Sequence, residues 1–185
     1  MSDSEYKALK KKYDFMKKNI NWETFLKSCK CNPEILEDAA EIIGWRSICR
    51  SQELSIEFME ERADKLNWYW VSRSQKLTSQ FISDYGEHLD WSCVSQCQKL
   101  PTDIMVQFED KLDWDLVSQH QKLSHALLDK FQNNLNWDLV SQYQKISPES
   151  LRAFKDKVNW HYIEECQKLA GSQINEFKEY LNLDD

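Results

Sequence analysis

The sequence predicts an all-α fold, an α-solenoid of seven 23-residue two-helix repeats with an N-terminal capping helix. Three observations carry that expectation. Tryptophan recurs every 23 residues, at Trp22, Trp45, Trp68, Trp91, Trp114, Trp137 and Trp160, and of the eight tryptophans only Trp70 lies off the grid. With each grid Trp counted as position 0, apolar residues return at positions 0, 3, 9, 14, 17 and 21. Spacings of three and four mark one face of a helix, whereas the period-two alternation of a strand is missing. Helix-capping residues precede both apolar runs. A fixed period of this size means that each unit buries its apolar face only by stacking on a neighbour.

The elements follow in order. In residues 1–21, Tyr13, Met16 and Ile20 stand where positions 14, 17 and 21 of a preceding repeat would fall, which predicts a lone helix over about residues 5–20. Lys7, Lys10, Lys11, Lys12, Lys17 and Lys18 against Asp3, Glu5 and Asp14 make this segment polar enough to close the stack against water. Residues 22–182 hold the seven repeats, and 183–185 form a C-terminal tail. Asn21, Gly44, Asn67, Asp90, Asp113, Asn136 and Asn159 precede the tryptophans as N-caps of a first helix, helix A, over roughly positions 0–8. Asn32, Ser55, Thr78, Ser124 and Ser147 at position 10 cap a second, helix B, over roughly positions 11–20. Pro33 and Pro148 follow at the first helical position, where the missing N–H costs nothing, and Pro101 falls in the same turn. Helices this short do not persist alone in water, so stacking must hold them.

Composition bounds the rest. The chain has 185 residues, 41% hydrophobic, and a net charge of −7. No stretch approaches the roughly 20 apolar residues of a membrane span, and the N-terminus lacks a signal-peptide core. A soluble, cytoplasmic protein with six reduced cysteines is expected. The acidic balance argues against nucleic acid as the main partner. The basic front and the acidic end (Glu176, Glu179, Asp184, Asp185) predict no more than weak, salt-screened end-to-end self-association.

Several ladders run through the repeats. Gln52, Gln75, Gln98, Gln121, Gln144 and Gln167 occupy position 7, and Ser72, Ser95, Ser118 and Ser141 occupy position 4. Both share a helix face with the Trp, so a structural role is expected: amides bonding open carbonyls, and Ser or Gln accepting the indole N–H. Lys76, Lys99, Lys122, Lys145 and Lys168 fill position 8. They read either as a basic stripe for single-stranded RNA or as helix C-terminal lysines set against the acidic ladder of Glu41, Asp64, Glu87, Asp110, Asp156 and Glu179.

Positions 2 and 6 vary from repeat to repeat: Trp70/Ser74, Cys93/Cys97, Leu116/His120, Leu139/Tyr143 and Tyr162/Cys166. A scaffold that fixes its core and varies one stripe builds a tailored binding surface, and aromatic or apolar residues suit an interface centre. The alternative is that the stripe packs on the next helix B. The binding reading takes Trp70, Leu116, His120, Leu139, Tyr143 and Tyr162 as partner contacts.

Catalytic and cofactor signatures are missing. Cys93, Cys97 and His120, or Cys29, Cys31 and Cys49, have the residue types for zinc, yet Cys29 and Cys31 take positions that elsewhere hold Gln and Leu, and Cys49 takes the Ser position, so small half-buried thiols are expected. Three glycines (Gly44, Gly86, Gly171) leave no phosphate-cradling loop. The expected function is a non-enzymatic protein-interaction scaffold, with a structural component of an assembly as the alternative and RNA binding third.

The string Leu-[Asp/Asn]-Trp-x-x-Val-Ser-x-x-Gln-Lys-[Leu/Ile]-[Ser/Thr] stands at Leu89–Thr102 (with Pro101 displacing the hydroxyl residue), Leu112–Ser124 and Leu135–Ser147. It resembles tandem repeats in uncharacterised proteins of giant DNA viruses and some microbes, most strongly over about residues 66–170. The resemblance implies a viral origin, in host cytoplasm or virion, and brings no activity or site.

Overall fold

The computed structural model describes residue 15, residues 17–28 and residues 30–181. Among them the regular structure is helical throughout, without strands, and forms an α-solenoid in which Trp-led helices lie against their neighbours. No helix is long and apolar enough to cross a membrane. Residues 17–19 are helical. The rest of the expected capping helix, Tyr13 and Met16 included, lies outside the described residues, as does the 183–185 tail.

The chain divides into two compact units, Met1–Asp90 and Trp91–Asp185. The first contains α1 (Trp22–Ser28), α2 (Pro33–Ser51), α3 (Ile56–Glu61), α4 (Trp68–Ser74) and α5 (Ser79–Tyr85), with α2 packed on both α1 and α4. The second contains α6 (Trp91–Cys97), α7 (Thr102–Gln107), α8 (Trp114–His120), α9 (His125–Lys130), α10 (Trp137–Tyr143), α11 (Pro148–Ala153), α12 (Trp160–Cys166) and α13 (Gly171–Glu176). There α6, α8, α10 and α12 form one layer, each against the next, and α9 meets α11 in the other.

Local chemistry fixes these boundaries. Asn67, Asp113 and Asn136 accept from the N–H of Trp70, Leu116 and Leu139, while Ser55, Thr78, Ser124 and Ser147 cap the second helices. The β-branched residue at position 3 (Ile48, Val71, Val94, Val117, Val140, Ile163) is 0% exposed in every repeat where it occurs. Each such burial is worth about 1.5–3 kcal/mol, more than these short helices gain from propensity. Position 14 (Met59, Ile82, Met105, Leu128, Leu151) and position 21 (Leu66, Leu89, Leu112, Leu135, Val158) complete the core.

Five sequence expectations need correction. Helix A ends at position 6 rather than 8, because the position 7 glutamine turns to extended backbone (φ −81, ψ 148 at Gln121) and sends its amide out of the helix. Helix B ends near position 16 rather than 20. At Phe108 the carbonyl accepts from the N–H of Lys111 at 2.9 Å, a tighter turn that aims the ring at its own repeat's tryptophan, Trp91, 4.6 Å away between centroids. Trp114–Phe131 (4.9 Å), Trp137–Phe154 (5.0 Å) and Trp160–Phe177 (5.0 Å) repeat that pairing.

Gly44 is not a side-chain cap, since glycine has no side chain to accept with. Ala39 and Ala40 replace the usual aromatic turn, and the helix runs on to Gly44, whose φ of 78° lets the chain pass directly into the next helix A. Asn159 makes no side-chain cap bond to α12 either, although its amide donates to Asp138 Oδ1 at 2.7 Å.

Four of the indole N–H groups bond main-chain carbonyls rather than a Ser or Gln side chain. Trp22, Trp114, Trp137 and Trp160 donate to the carbonyls of Lys17, Glu109, Gln132 and Lys155, five residues earlier, at 2.9–3.0 Å. In the last three cases helix B has ended before the carbonyl, which therefore lacks an intrahelical donor.

Candidate interaction surface

The conserved-looking polar ladders are absorbed by the fold. In the second unit, Gln121 Nε2 donates to the carbonyls of Ser95 (2.8 Å) and Gln98 (2.7 Å), while its Oε1 accepts from the N–H of Leu100 (3.2 Å). One side chain thereby closes the C-terminal end of the preceding helix A, where carbonyls would otherwise be orphaned. Gln144 does the same to Ser118, Gln121 and Leu123, and Gln167 to Ser141 and Ile146. In the first unit, Gln75 clasps Cys49, Gln52 and Leu54, and Gln52 clasps Leu26 and Cys31. The serines work within a repeat. Ser118 Oγ donates to the Trp114 carbonyl (2.6 Å) and accepts from the N–H of Asn136 (3.0 Å), so the next repeat's cap is tied to its own helix A. Ser141 joins Trp137 to Asn159 in the same way, and Ser72 joins Trp68 to Asp90. No buried side-chain N or O among the described residues lacks a partner.

The variable positions 2 and 6 lie on the first helices. Leu116 on α8, Leu139 on α10 and Tyr162 on α12 are half-buried, whereas His120 on α8 and Tyr143 on α10 are exposed, Tyr143 to 51%. These five share one layer of adjacent helices in the second unit. His120 Nε2 lies 3.4 Å from the Gln96 amide of α6, and the Tyr162 ring lies 5.6 Å from that of His161. Trp70 belongs to the first unit. Its half-buried indole meets Tyr69 edge-on at 5.2 Å and carries the Arg50 guanidinium at 5.3 Å, a local cation–π seat.

The position 8 lysines are exposed, and they do not pair with the acidic ladder. Lys76 instead meets Glu53, the position 8 residue of the preceding repeat, at 2.7 Å. That hydrogen bond holds the Glu53 carboxyl below the usual glutamate range and raises the Lys76 ammonium. Among the acidic ladder, Glu41 is bonded by Lys17.

Among the described cysteines, Cys49 and Cys93 are buried, Cys31 is half-buried, and Cys97 and Cys166 are exposed. Burial pushes the Cys49 thiol up, away from the reactive thiolate. Among the described residues no three His, Cys, Asp or Glu side chains converge as metal ligands. Cys29 lies outside them.

One polar cluster escaped sequence reasoning. His125 Nδ1 lies 3.0 Å from Ser150 Oγ and its Nε2 lies 4.0 Å from Glu149, a serine–histidine–carboxylate set across α9 and α11. Ser150 is 1% exposed, and its N–H is bonded to Ser147 Oγ, so no substrate reaches the hydroxyl. It ties two second helices together. Positions 11 and 13 hold unrelated residues in the other repeats, so no periodic signal announced it.

Comparison with protein-family models, curated sequences and solved structures finds no match to this chain.

Proposed function

We propose that the protein is a non-enzymatic scaffold whose second unit holds a protein partner along the outer face of α8, α10 and α12. One observation supports this most. Leu116, His120, Leu139, Tyr143 and Tyr162 sit half-buried or exposed on three adjacent helices, while the recurring Gln and Ser ladders are engaged in main-chain bonds. Exposed tyrosine beside aliphatic side chains is the composition of an interface centre. The helices that carry the stripe are held by buried side chains and glutamine clasps, an arrangement that would present it pre-organised and lower the ordering cost of binding.

The test is affinity capture from extracts of the source cells, with the bound proteins read by mass spectrometry. Leu139→Ala with Tyr143→Ser should leave helicity and melting intact, because neither side chain belongs to the buried core. Hot-spot truncations cost about 2 kcal/mol or more, so affinity for the captured partner should fall at least thirtyfold. An unchanged capture profile, or unfolding of the double variant, would refute the reading.

A further inference from the structure

Position 8 of the four successive repeats of the second unit carries Lys99, Lys122, Lys145 and Lys168, all exposed. Among the described residues none of the four has an ion-pair partner, in contrast to Lys76 with Glu53 in the first unit. The second unit has ten Lys and Arg against fifteen Asp and Glu, so four unpaired cations in one row reflect placement rather than composition. The row edges a hollow of about 710 Å³ between the turns of the last two repeats. Tyr143, Ile146, Pro148 and Leu169 line it, with Lys145 and Lys168 beside them. That volume lies in the range of pockets that bury a ligand. The matching turns of the first unit hold a smaller hollow of about 280 Å³, where Glu53 takes the lysine's place.

We infer that this edge binds an extended acidic segment of a protein partner, with carboxylates on the lysine row and one apolar side chain in the hollow. The inference rests on the scaffold reading and names the partner's chemistry. Helices stacked side by side are about 8–10 Å apart, so lysines recur at about that interval. A segment in the extended polyproline II conformation advances about 3.1 Å per residue with three residues per turn, so carboxylates at every third residue share one side and keep step with the row. Single-stranded nucleic acid fits less well, because it needs aromatic platforms for successive bases. Tyr143 is the one aromatic side chain among the described Phe, Trp and Tyr of this unit that is more than half exposed.

The test uses fluorescence anisotropy with a labelled synthetic peptide carrying Glu at every third residue and a central leucine. Comparison probes are the same peptide with Gln for Glu, and an oligouridylate of similar length. The Glu peptide should bind at low salt and weaken as salt rises. Lys145→Gln with Lys168→Gln should weaken it about tenfold, by loss of two partly solvated ion pairs. Lys145→Arg with Lys168→Arg should retain binding, and Lys130→Gln on α9 should leave it unchanged. Equal binding of the Gln peptide, tighter binding of oligouridylate, or a double glutamine variant that binds like the wild type would overturn the inference. Partner capture that survives the double glutamine variant but is lost with Leu139→Ala/Tyr143→Ser would sink the acidic-segment inference and leave the helix-stripe reading standing.

Discussion

Replacing Gln121 by methionine isolates what the glutamine clasp contributes. Methionine keeps nearly the same length and bulk, so the core loses little volume. What disappears is the pair of donations to the Ser95 and Gln98 carbonyls and the acceptance from Leu100 N–H. Gln121 is 7% exposed, so water cannot replace all three partners. At about 1 kcal/mol for each bond lost, and more for any group left unsatisfied, the variant should lose about 3 kcal/mol. Urea unfolding followed by tryptophan fluorescence and far-ultraviolet circular dichroism measures this directly. With a slope of about 1–3 kcal/mol/M the midpoint should fall by roughly 1–3 M. Gln121→Glu should be worse at neutral pH, since a carboxylate has no proton to donate to either carbonyl. A methionine variant within about 0.5 kcal/mol of wild type would refute the claim that these bonds hold successive repeats together.

Other expectations follow from the same structure. Ser118→Ala strands the N–H of Asn136 and should lower stability by about 1–2 kcal/mol in the same urea assay. Gly44→Ala meets no neighbouring atom, yet its φ of 78° with ψ of 154° is a conformation nearly reserved for glycine, so melting should show a loss of about 1–3 kcal/mol. Gly171→Ala, at the open start of α13, should be neutral or stabilising by up to about 1 kcal/mol. Hydrogen bonds from Lys17, Lys76 and Arg152 hold the carboxyls of Glu41, Glu53 and Glu176 below the usual glutamate range. A depressed carboxyl stabilises the fold above its unfolded pKa and loses that contribution as pH falls through the folded one, so urea midpoints should drop between about pH 5 and pH 3. Glu176→Gln should flatten that slope, and an unaltered slope would count against it.

The architecture was legible because repetition averages out local ambiguity. One Val three residues after one Trp says little. The same spacing in successive repeats fixes which helix face is inside, and those Val and Ile side chains are indeed buried. Helix ends were less legible. A glutamine at the close of a helix reads as a good helix former, and nothing local reveals that its amide reaches back to another repeat 23–26 residues away. Phe108 likewise reads as a helix-face residue, although its contact with Trp91 requires the helix to stop there. At the candidate site, periodicity identified the variable positions but carried no information on exposure. It therefore could not separate half-buried Leu139 from exposed Tyr143.

The glutamine that joins two repeats grips only main-chain atoms of the one before it. Such a joint is blind to its neighbour's side chains. Whole repeats inserted, deleted or exchanged in multiples of 23 residues should seat without compensating changes, whereas a gain of one residue between a glutamine and its targets would break that one joint. Recombination can thus lengthen the array or reshuffle its outer stripe while the joinery stays the same, so binding surface and stability are free to evolve separately.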